Sequence, residues 1–131
     1  MVLIRCLIVA AVAVLALAAS PTLPGPAGAK AHADTFTWRI RNRARYAVRL
    51  KFHSKSRRVV WPSSNRSWLL DDERVRSFPI SCRRGEKICY GGFYDNNRHS
   101  WGVGRRGRKS CRNCCYTCTN GQSRIHNLTG G

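Results

Sequence analysis

The sequence predicts an all-β chain: a small antiparallel β-sandwich or barrel, with a C-terminal loop region stapled by disulfides and a signal peptide in front. Three observations predict it. Apolar and polar residues alternate through "TFTWRI" and again through "YAVRLKF". Turn-forming residues recur at intervals of about ten, with no helical period between them. Six cysteines crowd between Cys82 and Cys118.

The chain opens "MVLIRCLIVAAVAVLALAAS", in which Arg5 is the only charge before an apolar run from Cys6 to Ala19. A membrane span needs roughly 20 apolar residues, so this run is short for one. A positive start, a short apolar core and small residues downstream fit a secretory leader. Ala31-His32-Ala33 offers a cleavage site, which makes residues 1–33 the signal peptide and residues 34–131 the mature domain. Ala27-Gly28-Ala29 is a rival site, and an uncleaved anchor is the competing reading. Removing 33 of 131 residues leaves 98, enough for one domain with a modest core. The expected location is secreted or periplasmic.

In the mature part, Phe36, Trp38 and Ile40 alternate with polar or basic residues, and so do Tyr46, Val48, Leu50 and Phe52. A period of two over this length predicts two half-buried strands. A short turn near Asn42–Arg45 pairs them as a hairpin, with Arg39, Arg41, Arg49 and Lys51 forming one basic ridge on the far face. Shorter strands follow: "RRVVWP", "SWLL", "VRSFPIS", "KICYGGFY" and "HSWGVG", separated by "SSN", the acidic Asp71-Asp72-Glu73 and "DNN". Pro79 marks its strand as an edge or a bulge. Residues 103–131 are rich in Cys, Gly and Arg and read as loop, with "NLTGG" fraying at the end. Trp38, Trp61 and Trp68 are expected to fill the core, and Trp101, beside two glycines, to be exposed.

Six cysteines in an exported domain point to disulfides: Cys82, Cys89, Cys111, Cys114, Cys115 and Cys118. Adjacent Cys114 and Cys115 are too close along the chain for a relaxed mutual bridge. The preferred arrangement ties Cys82 and Cys89 separately into the Cys111–Cys118 cluster and closes one bridge inside it. Zinc is the rival, since two overlapping C-x2-C pairs supply four sulfurs. Four ligands within eight residues leave little chain to wrap a tetrahedron. No metal and no cofactor are expected.

The spacing C-x6-CYGG, then WGVG, then C-x2-CC-x2-C resembles a group of small exported, largely uncharacterised, Cys-rich bacterial proteins. Cys82, Cys89, Gly91, Gly92, Trp101, Gly102, Gly104 and the four clustered cysteines carry the likeness, over about the second half of the mature chain. It implies export and a small fold, and no activity.

The whole chain carries 24 basic against 6 acidic residues, a formal charge of +18. Such a charge attracts polyanions whatever the fold. Gly102, Gly104 and Gly107 spell G-x-G-x-x-G, but no helix-forming stretch follows, which excludes a dinucleotide site. A Gly-rich turn can instead present backbone N–H groups to an anion, here among Arg105, Arg106, Arg108 and Lys109. Material for catalysis is thin. His53, His99 and His126 read as surface residues, Asp95 near His99 lacks a nucleophile, and no catalytic residue is assigned. The expectation is a non-catalytic, strongly cationic binding module for an anionic envelope polymer or surface: glycan, lipopolysaccharide or phospholipid, with nucleic acid admitted by charge alone. The alternative is a secreted cationic effector or antimicrobial protein acting on anionic membranes.

Overall fold

The computed structural model describes residues 33–94 and 98–130. The expected signal peptide and Asp95 lie outside the described residues. Among the described residues nine strands form: β1 (Asp34–Asn42), β2 (Val48–Ser54), β3 (Val60–Trp61), β4 (Trp68–Leu70), β5 (Val75–Cys82), β6 (Lys87–Tyr94), β7 (His99–Gly102), β8 (Cys115–Thr117) and β9 (Gln122–Leu128). They build two sheets. One has three strands in the order β5-β1-β9. The other has six, with β3-β2-β6-β7 in line, β4 added on β2 and β8 on β6. The pairings are antiparallel except β1 with β9, which is parallel.

The sheets face each other across one aromatic core. Trp38 of β1 is fully buried, with its ring centroid 5.2 Å from that of Phe52 of β2 and 5.2 Å from that of Tyr116 of β8. Phe36, Ile40, Leu50, Phe78, Ile80 and Ile88 complete this interior. An aromatic ring buries a large apolar area, so a few of them suffice for so small a domain. Pro79 lies on β5, an edge strand of the three-stranded sheet, where its missing N–H disrupts no ladder.

The expected β1–β2 hairpin does not form. β1 pairs with β5 and β9, whereas β2 pairs with β3, β4 and β6. Residues 43–47 carry the chain across from one sheet to the other. Buried Asn42 fixes this corner, donating from Nδ2 to Tyr46 O at 2.7 Å and Leu70 O at 2.9 Å and accepting the Ala44 N–H at Oδ1. The alternation is satisfied as well by two strands facing each other across a core as by two strands side by side. The single basic ridge therefore divides. Arg39 and Arg41 stand on the outer face of the three-stranded sheet, Arg49 and Lys51 on that of the six-stranded one.

The C-terminal segment is also more regular than expected. Rather than fraying, it forms β9 against β1, where Leu128 is fully buried and its carbonyl accepts the Arg43 N–H at 2.8 Å. Trp101, expected to be exposed, is half-buried against the core, with Nε1 donating to Thr129 O at 2.8 Å.

Among the described residues three disulfides follow the preferred arrangement. Cys82–Cys118 joins the end of β5 to the residue after β8 and so links the two sheets, with Cα atoms 6.2 Å apart. Cys89–Cys115 joins residues directly opposite on β6 and β8 at 4.0 Å. Cys111–Cys114 closes a short loop. Such bridges are typical of proteins outside the reducing cytosol.

Candidate anion-binding cleft

The outer face of the six-stranded sheet is where chemistry gathers. Alternation sends Arg49, Lys51 and His53 of β2 outward, beside Phe93, Gly91 and Cys89 of β6 in register. The glycine- and arginine-rich loop after β7 then crosses this face. It rests directly on β6: a Cβ on Gly91 would lie 2.0 Å from Gly104 O, so only glycine lets the two backbones meet. Beside this contact Val103, Cys89 and Cys114 form a second small core beneath the loop.

Part of the loop's backbone is already engaged. The N–H groups of Val103, Gly104, Gly107 and Lys109 donate to the carbonyls of Tyr90, Trp101, Gly104 and Val103, at 2.9, 3.1, 3.4 and 3.1 Å. Arg105, Arg106 and Arg108 donate none of these bonds, so their N–H groups stand beside their side chains as donors for an anion. Arg105 is held over the Phe93 ring, 5.4 Å from the centroid.

Two adjoining clefts result. The first, about 390 Å³, is bounded by Lys51 and Ser64 on one side and Arg105, Arg106 and Arg108 on the other. The second, about 450 Å³, runs between the loop and the turn after β2, which supplies Lys55, Arg57 and Arg58. His53, Val60 and Arg106 border both. The Lys55 ammonium donates to Gly107 O, tying the turn to the loop. Neither lining includes a carboxylate.

Lys51 is the unusual member. It is 7 % exposed, and its Nζ donates to Ser64 O at 2.6 Å. Burial and, secondarily, the Arg105 charge lower its pKa. Among the described residues the ion pairs are Arg57–Glu86, Arg76–Asp71, Arg76–Asp72 and Arg84–Asp34. None of them reaches Lys51, Lys55, Arg105, Arg106 or Arg108. Arg57 alone among the cleft cations is neutralised, by a fork of 2.6 and 3.0 Å bonds to buried Glu86. Burial pushes the Glu86 carboxyl up, yet the Arg57 fork, the Arg83 N–H and the Ser54 hydroxyl outweigh it and hold the pKa low.

His53 lies under the loop rather than on the surface. It is 6 % exposed, its Nε2 has no partner among the described residues, and its pKa is lowered to about 4. Burial is the main cause, the Lys51 and Lys55 charges add to it, and a hydrogen bond with the Gly104 backbone partly opposes it. His126 is likewise buried, packed among Trp38, Tyr90 and Tyr116 inside the sandwich. Of the three histidines read as surface residues, His99 is the exposed one, near the stacked Tyr46 and Tyr94.

The structure thus brings Lys51 together with Arg105, Arg106 and Arg108, and leaves Arg49 exposed two positions from Lys51 on the same face. Arg39 and Arg41 are on the other sheet. Lys109 serves the loop, its stem against Gly104 and its ammonium bonded to Ser100 Oγ. Sequence reasoning missed Lys55, Arg57 and Arg58, although "KSRR" directly after a strand is a legible basic turn.

The sulfurs of Cys89, Cys114 and Cys115 lie within 4.8 Å of one another. They belong to two disulfides, and metal ligation requires thiolates, so the cluster acts as a staple in this state. No protein-family model matches this chain, and neither does any curated protein or solved structure.

Proposed function

We propose that this protein is a secreted or periplasmic, non-catalytic cationic binding module whose double cleft engages an anionic envelope polymer. The carrying observation is Lys51, a nearly buried cation facing three arginines with no carboxylate in the cleft lining. Removing a charge from water without a counter-charge is costly, and an incoming anion relieves that cost. Disulfides and the apolar leader support export.

A membrane-disrupting effector is the less favoured reading. Among the described residues the exposed large hydrophobics are Tyr46 and Leu69, too little apolar surface to anchor insertion. Affinity for lipopolysaccharide, an acidic glycan and duplex DNA, measured against salt, tests the proposal. Binding at low salt that weakens as salt rises is expected; no binding at low salt rejects it. Dye release from anionic but not neutral vesicles would favour the effector instead.

A further inference from the structure

We propose, resting on that reading, that the cleft at Lys51 is a socket for a single terminal phosphomonoester carried on a sugar or polyol unit of the polymer. Depth is the first reason. Arg105, Arg106 and Arg108 are exposed around the rim, whereas Lys51 is 7 % exposed between the sheet and the loop. A phosphate inside a diester backbone carries a substituent on both sides and reaches such a position only by burying both. A terminal group enters end-on. The cleft's volume of about 390 Å³ is in the range of pockets that take a small ligand.

Charge is the second reason. Lys51, Arg105, Arg106 and Arg108 face one another without a carboxylate among the lining residues. A phosphomonoester brings about −1.5 to −2 near neutral pH and three acceptor oxygens. A sulfate monoester or a uronate brings a single negative charge. Lys51 uses one N–H on Ser64 O and has two more to offer, and arginine forks match phosphate oxygens in pairs.

The third reason is independent of charge. His53 borders both clefts, is 6 % exposed, and leaves Nε2 without a partner among the described residues. Trp38 Nε1, Arg41 Nε and His126 Nε2 share that condition among the described residues, and of the four only His53 borders the two clefts. It lies where the carrier of a phosphate seated at Lys51 would continue toward the second cleft, and a carrier hydroxyl supplies the missing hydrogen bond.

The test is an NMR titration of the purified, disulfide-bonded protein at low salt and pH 7.5, following the amides of residues 104–108. The probes are glucose 6-phosphate, glucose 6-sulfate and glucuronate, so that the scaffold stays nearly constant while the anion changes. Glucose 6-phosphate is expected to bind at least about tenfold more tightly than either rival, and Lys51→Met to abolish that preference. Arg106→Gln, an exposed change that spares folding, is expected to reduce it several-fold and serves if Lys51→Met does not fold. Equal affinity for the three probes, or a preference that survives both substitutions, overturns the socket. Duplex DNA is titrated in the same buffer. DNA binding without a probe preference removes the socket alone, whereas loss of DNA, glycan and lipopolysaccharide binding together removes the proposed function as well.

Discussion

A Cβ on Gly107 would lie 2.6 Å from Nδ1 of His53, so the loop closes on β2 at a distance that only glycine allows. Gly107 also has φ of 70°, in the left-handed region that side chains disfavour. Both walls of the second cleft depend on this contact, because Lys55 donates to the Gly107 carbonyl. Gly107→Ala is therefore expected to cost about 1–3 kcal/mol in urea unfolding and to weaken polyanion binding with it. A variant with unchanged stability and affinity would show that the loop does not seat on His53.

The same histidine makes stability depend on pH. Its folded pKa of about 4 lies below the unfolded value of 6.5, so the unfolded chain binds the proton more readily. Stability is then intact above about 6.5, falls as pH drops from 6.5 toward 4, and loses no more from this group below 4. The loss across that window is a few kcal/mol at most. His126, lowered by burial and then by Arg124, acts in the same direction. His53→Gln is expected to flatten the stability profile between pH 4 and 6.5, measured by denaturant midpoints. An unchanged slope contradicts the buried, neutral imidazole.

Much of this arrangement was legible in the residues, and the gaps have identifiable causes. Alternation in Phe36, Trp38 and Ile40 and in Val48, Leu50 and Phe52 assigns each side chain to a face. It carries no information about which strand lies alongside, so the paired hairpin and the facing strands read alike. The outward placement of Lys51 and His53 was equally legible, but their burial was not, because the covering loop comes some fifty residues later. β9 is illegible in the sequence for a different reason. Its buried positions are Ser123, His126 and Leu128, two of them polar, and its register against β1 shifts between Thr37 and Arg39. That shift breaks the period of two by which a strand is recognised. The bridges were legible only in outline, with Cys82 and Cys89 each tied into the cluster and one bridge inside it, because the adjacency of Cys114 and Cys115 excludes their mutual bond and leaves the choice of partners to the fold.

The three bridges are unequal. Cys82–Cys118 spans 36 residues and links the sheets, whereas Cys111–Cys114 spans 3. A cross-link restricts the unfolded chain more when it closes a longer loop. Replacing Cys82 and Cys118 together by alanine is expected to cost about 2–4 kcal/mol. The same change at Cys111 and Cys114 is expected to cost less globally and to act chiefly on the loop that bears the arginines. Thermal unfolding of the two double variants under oxidising conditions decides it, and equal losses would contradict the ranking.

Glu86 sets a limit on the charge of the second cleft. It accepts both bonds of the Arg57 guanidinium and the Arg83 N–H, and it is almost wholly buried. Glu86→Gln keeps the shape but removes the counter-charge, leaving Arg57 beside Lys55 and Arg58 as an uncompensated cation. Loss of charge-assisted hydrogen bonds at a buried acceptor is expected to lower stability by about 2 kcal/mol. Polyanion binding is expected to move the other way. One more available cation steepens the dependence of log affinity for duplex DNA on log salt by about 0.9. The two effects separate function from fold: a variant that is less stable yet binds more tightly at low salt identifies the cleft as the contact surface. If Glu86→Gln lowers stability without changing the salt slope, Arg57 lies outside the bound footprint and the contact is confined to the Lys51 side.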